Sequence, residues 1–100
     1  NVKAIDNGKT NEITWEVSAP ENADFYIIYR EKEGQEKIEI AKVKKDTSIN
    51  ENIIKRKYFY YDNILKGKYF YYVKSVRDVG EGEKIESELV KSNEVEVTRD

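Results

Sequence analysis

Apolar and polar residues alternate with a period of two along most of this chain. That is the repeat of a strand with one buried face, and the 3.6-residue helical repeat is nowhere sustained. Ile13, Trp15 and Val17 alternate strictly with Thr14 and Glu16, which places the three on one face. Phe25 to Arg30 is a continuous aromatic and β-branched run, the signature of a strand with apolar groups on both faces. Lys37 to Val43 carries Ile38 and Ile40 on one parity and Ala41 and Val43 on the other, so a bulge or strand end is expected at Ile40–Ala41. Tyr58 to Tyr61, Lys68 to Val76 and Glu94 to Val97 read as further strands, and Val2 to Ile5 as a short one. Ile85 to Val90 holds a short extended piece. Asp6-Asn7-Gly8, Ser18 to Asn22, Glu31 to Gly34, Asp62-Asn63 with Gly67, and Asp78 to Gly82 supply the turns. Ser48 to Lys57 has no clear period, and Ile49, Ile53 and Ile54 suit a helical turn or a loop tucked on the core. The pattern predicts an all-β fold, a seven-stranded antiparallel sandwich of the immunoglobulin-like kind.

One hundred residues make one domain, so residues 1–100 are read as a single module. Without Cys there is no disulfide framework or thiolate metal site, and without His the commonest general base and metal ligand are gone. No enzyme is expected, and no cofactor. Net charge is −2 with the signs interspersed, and Lys55-Arg56-Lys57 is the one basic triplet, so no nucleic-acid partner is expected. No apolar run approaches a membrane span. Abundant Lys and Glu with no Cys or Met match thermophile composition, and the wealth of Ile, Lys, Asn and Tyr points to a low-GC bacterium. Residue 1 is not Met, and the chain is expected to be a piece of a longer polypeptide.

At Gly67 the pattern becomes more specific. Leu65-Lys-Gly67-Lys-Tyr69-Phe-Tyr71-Tyr-Val73-Lys-Ser75-Val76 resembles the strand F signature of fibronectin type III domains. Tyr69 matches the family's tyrosine corner, whose hydroxyl bonds back to the backbone. Leu65 stands closer to Tyr69 than the family's pattern has it, so the corner loop is shortened. Trp15 is similar to the family's buried strand B Trp, Tyr26 to Arg30 to its strand C, and Ser92 to Thr98 to its strand G. Residues 48–57 depart from the pattern as an insertion. The resemblance implies fibronectin type III topology and a non-catalytic spacer in a secreted bacterial multidomain protein, often a carbohydrate-active enzyme. It implies an extracellular location, neighbouring domains of the same polypeptide as partners, and a monomer.

Alternation and the resemblance together give a core of Ile13, Trp15, Val17, Tyr26, Ile28, Leu65, Tyr69, Tyr71 and Val73. The opposite parity turns Tyr29, Phe70 and Tyr72 outward on neighbouring strands, beside Ile27, Lys74 and Val76. Such a row either stacks on sugar rings or anchors a partner domain, making the chain a polysaccharide- or protein-binding module, or it lies under neighbouring Lys stems and only shields the sheet. Asp78, Glu81, Glu83, Glu86 and Glu88 form an acidic loop whose spacing matches no EF-hand, and it is expected to be solvated. No Arg-Gly-Asp occurs, since Arg77 and Asp78 are adjacent.

Overall fold

The computed structural model describes residues 1–18, 21–46 and 55–99. Strand β1 (Val2–Asp6) pairs antiparallel with β2 (Asn11–Ser18), which pairs antiparallel with β5 (Lys55–Asp62). The larger sheet runs β4 (Ile38–Lys44), β3 (Phe25–Lys32), β6 (Gly67–Gly80). Beyond β6 lie β7 (Glu83–Glu86), β8 (Val90–Lys91) and β9 (Val95–Val97), all antiparallel to it. The protein is therefore all-β, with two antiparallel sheets arranged as a sandwich and no helix among the described residues.

The core follows from the alternation. Val2 and Ala4 of β1, Ile13 and Trp15 of β2, Tyr26 and Ile28 of β3, Tyr58 of β5 and Tyr69, Tyr71 and Val73 of β6 are buried in one cluster, with Val95 and Val97 of β9. Val17 is half-buried against it. Trp15 stacks on Tyr58 at 5.6 Å between ring centroids and meets Tyr26 edge-on at 5.8 Å. Tyr26 and Tyr58 both donate to Glu21 Oε2, at 2.8 and 2.6 Å, and Arg56 Nε reaches Glu21 Oε1 at 3.1 Å. A second polar knot joins the sheets. Arg30 of β3 grips both carboxylate oxygens of Asp62 of β5 at 2.9 and 3.0 Å, and Tyr71 of β6 donates to Asp62 Oδ2 at 2.7 Å. Asn11 of β2 donates to the Tyr71 hydroxyl at 3.0 Å, so all four groups depend on one another.

Four features depart from the expectations. Leu65 lies outside the core at 62% exposure. The Tyr69 hydroxyl donates to the Leu65 carbonyl at 2.8 Å, and this short corner turns the Leu65 side chain to solvent while Ile64 packs on the core. Strand β6 continues past Val76 to Gly80, and the turn narrows to Glu81-Gly82, with positive φ at Gly80, Glu81 and Gly82. The final stretch pairs along β6 as three short strands. Of the region 48–57, Lys55 to Lys57 open strand β5, and residues 48–54 lie outside the described residues. The bulge falls at the expected place: Ile28 faces Ala41 and Tyr29 faces Glu39, leaving Ile40 as the extra residue.

The register also locates the two ends of the described chain. Asn1 shares a cleft with Ser75 of β6 and Ser87. At the other end Val97 pairs with Gly67, and Arg99 binds Asp6 and the Ile64 carbonyl. Eight residues of β6 separate those levels, about 26 Å of strand, in a body of 42 × 32 × 17 Å.

Candidate functional site

The aromatic residues singled out by parity meet on the outer face of the larger sheet. Tyr29 of β3 lies directly opposite Tyr72 of β6, and Phe70 lies opposite Glu31. Phe25, two pairs further along from Ile27, faces Val76 and extends the same face. Strand propensity accounts for the aromatic content, since both strands are central in their sheet and tolerate bulk on either side.

These rings are covered. The Lys91 ammonium stands 4.0 Å from the Phe70 ring centroid and 5.7 Å from that of Tyr72. Lys37 stands 4.1 Å from Tyr72 on its own account. Lys74 is 5.4 Å from Tyr29, and Lys42 and Lys84 approach Phe25 at 5.8 and 5.6 Å. An ammonium over a ring face is attracted by the ring quadrupole, and its methylene stem covers apolar area. Tyr29 and Phe70 are consequently only half-exposed, and Tyr72 is 9% exposed, although parity turns all three outward. Ile27 and Val76 share the outward parity and are buried as well.

Hydrogen bonds hold the arrangement. The Tyr72 hydroxyl donates to Glu31 Oε1 at 2.6 Å, and that bond, reinforced by burial, pushes its pKa up to about 12. Lys74 pairs with Glu86 at 2.7 Å, which raises the ammonium's pKa and lowers that of the carboxyl. Nearby Lys84 adds to the lowering at Glu86.

Lys74 of β6 stands on this face as alternation placed it, whereas the other capping lysines come from β4, β7, β8 and the approach to β4 and were not marked by strand alternation. The outer face of the smaller sheet holds a second group that alternation did not single out. Phe59 and Tyr61 of β5 are 47% and 55% exposed there, Phe59 lying 5.5 Å from the Lys57 ammonium. Pairing of Tyr58 with the buried Trp15 sets that parity and would have revealed it.

The acidic stretch does not converge. Asp78 accepts from the Gly80 amide within the turn, Glu86 is paired with Lys74, and Glu81, Glu83 and Glu88 are exposed. Among the described residues no group of three or more Asp, Glu, His or Cys is placed to hold a metal ion. An open cleft of about 140 Å³ lies between the sheets beside Asn1, lined by Val2, Trp15, Tyr26, Val73 and Val90. A search against protein-family models, curated proteins and solved structures finds no match for this chain.

Proposed function

We propose that this chain is a non-catalytic spacer module of the fibronectin type III kind, set within a secreted bacterial multidomain protein. Its work is to hold neighbouring domains apart, in the favoured setting the catalytic and binding domains of a polysaccharide-degrading enzyme. The strand order supports the family reading, with the first, second and fifth strands in one sheet and the remainder in the other. So does the bond from the Tyr69 hydroxyl to the Leu65 carbonyl, in the position of a tyrosine corner.

The observation that carries the spacer reading is the placement of the two ends. The chain begins at the Ser75 level of β6 and leaves at the Gly67 level, so flanking domains attached there are directed away from each other. A sandwich between those ends transmits position, because its polar knots tie one sheet to the other.

The capped rings favour a spacer over a platform for neutral sugars. Sugar stacking needs open, roughly coplanar ring faces, and here each ring already holds an ammonium. Pull-down on cellulose, chitin and unsubstituted xylan tests this, with a Tyr29→Ala/Phe70→Ala/Tyr72→Ala variant as control. No retention is expected for either protein. Retention of the natural chain that disappears in the variant would replace the spacer with a carbohydrate-binding module.

A further inference from the structure

The lysines over the rings do more than cover apolar surface, because they are gathered in pairs. Lys42 and Lys84 approach the one ring of Phe25 from strands on opposite sides of it, β4 and β7. Lys37, just before β4, and Lys91 of β8 both approach Tyr72, Lys91 standing between that ring and Phe70. None of these four ammoniums makes an ion pair with a described carboxylate, although the chain carries 20 acidic side chains. Glu86 of β7 is engaged by Lys74. Glu31, which accepts from the neutral Tyr72 hydroxyl, and Glu39, which lies opposite Tyr29, bring negative charge to the same face, where the lysines outnumber them. Holding like charges together at rings is favourable only in part, since each exposed cation–π contact contributes little against their mutual repulsion.

The two pairs are laid out along the strands. Phe25 faces Val76, and Tyr72 lies four residues away on β6, so the pairs stand about 13 Å apart along the strand direction. Lys74 lies between them. An extended chain with repeated negative charges, lying parallel to β3 and β6, meets one pair, then Lys74, then the other. Tyr29 and Phe70, half-exposed beneath Lys74 and Lys91, lie along the same track. Net charge of the whole molecule is −2, so any attraction for a polyanion must arise from a local concentration of cations.

We infer that the outer face of the β4-β3-β6-β7 sheet is a binding surface for an acidic polysaccharide, its carboxylates taken by Lys37, Lys42, Lys74, Lys84 and Lys91. This goes beyond the spacer role, and a module can hold its neighbours apart while resting on such a polymer. Uncharged polysaccharide, lacking the carboxylates, is not held by this face.

Native affinity electrophoresis tests the inference, with sodium polygalacturonate in the gel as probe and hydroxyethyl cellulose as the neutral comparison. The natural chain should be retarded several-fold by polygalacturonate at low ionic strength and unaffected by hydroxyethyl cellulose. Retardation should vanish on adding about 0.3 M salt, where screening is nearly complete beyond a few ångströms. The Lys37→Gln/Lys42→Gln/Lys84→Gln/Lys91→Gln variant should migrate as though no polymer were present. A variant with equal charge change on the smaller sheet and its turn, Lys3→Gln/Lys9→Gln/Lys55→Gln/Lys57→Gln, should remain retarded. Urea unfolding midpoints near that of the natural chain establish that both variants are folded. Unretarded natural protein, or equal loss in the two variants, overturns the inference. Retardation by duplex DNA, or capture by phosphatidylserine vesicles, that matches polygalacturonate at equal charge and needs the same four lysines also overturns it, since the face would then recognise charge without regard to the polymer. Failure here leaves the neutral-polysaccharide test of the spacer untouched.

Discussion

Replacing Tyr71 by Phe removes one oxygen from the middle of the polar knot that joins the sheets. That oxygen donates to Asp62 at 2.7 Å and accepts from Asn11 at 3.0 Å, and Tyr71 has no exposed surface. The bond to a charged acceptor is worth about 1.5–3 kcal/mol. Loss of the oxygen also leaves the buried Asn11 amide without its acceptor, which adds a penalty of about 1–3 kcal/mol. Asp62 keeps both contacts to Arg30, so the carboxylate stays compensated and the full penalty of an unpaired buried charge does not apply. The expected loss is about 3 kcal/mol. Tyr69→Phe provides the internal comparison, because it also deletes one buried-ring hydroxyl. Its acceptor is the Leu65 carbonyl in an open corner, where water can take the donor's place, and about 1 kcal/mol is expected. Urea unfolding followed by fluorescence of the single Trp reads both variants, with an unchanged slope required for the comparison. Equal losses in the two variants, or a Tyr71→Phe loss below that of Tyr69→Phe, would refute the reasoning that Tyr71 locks the sheets together.

Two further outcomes follow from the same core. Trp15→Ala should lower stability by about 3–5 kcal/mol, because a cavity opens against Tyr26 and Tyr58, and a nearly neutral result in the same unfolding assay would show that Trp15 is not central to the core. In alkali, burial raises the pKa of Tyr26 and Tyr71 well above 10.0, with further raising by Glu21 and Asp62 respectively, and burial raises Tyr58 to about 12. These phenols bind their protons more tightly in the folded state, so their contribution is complete below pH 10 and is lost as pH rises through the folded values. Above pH 10 stability should fall by about 1.4 kcal/mol per pH unit for each of Tyr26 and Tyr71. Tyrosinate absorbance should therefore rise in a cooperative step coincident with unfolding, and a smooth titration of all 8 tyrosines near pH 10 would contradict it.

Much of the fold is legible because strand alternation acts locally. Ile13, Trp15, Tyr26, Ile28, Tyr69, Tyr71 and Val73 lie inward as their parity requires, and the mixed parity at Ile40–Ala41 marks a real register shift. Leu65 was beyond reach of that logic. Its direction is set by the hydrogen bond across a shortened corner, and alternation does not extend through a turn. At the candidate site, parity brings Tyr29, Phe70 and Tyr72 to one face but says nothing of what lies above them. Apart from Lys74, which parity places on the same face, the capping lysines arrive from strands distant in sequence, and their reach over the rings depends on the pairing of β4, β7 and β8 with their neighbours. Phe59 and Tyr61 illustrate the reverse case. Their outward direction follows once Tyr58 is paired with Trp15, and that pairing is a long-range fact.

The spacing of the two ends tests the spacer account most directly. The chain has no Cys, so Asn1→Cys/Thr98→Cys introduces the only two thiols, and both carry spin labels for pulsed dipolar spectroscopy. The account predicts one narrow distance distribution centred at about 25 Å or more, from the strand length between the Ser75 and Gly67 levels. It also predicts that the distribution is unchanged when neighbouring domains are fused at either end. A broad distribution, or one centred well below about 20 Å, would mean that the module does not hold its neighbours apart.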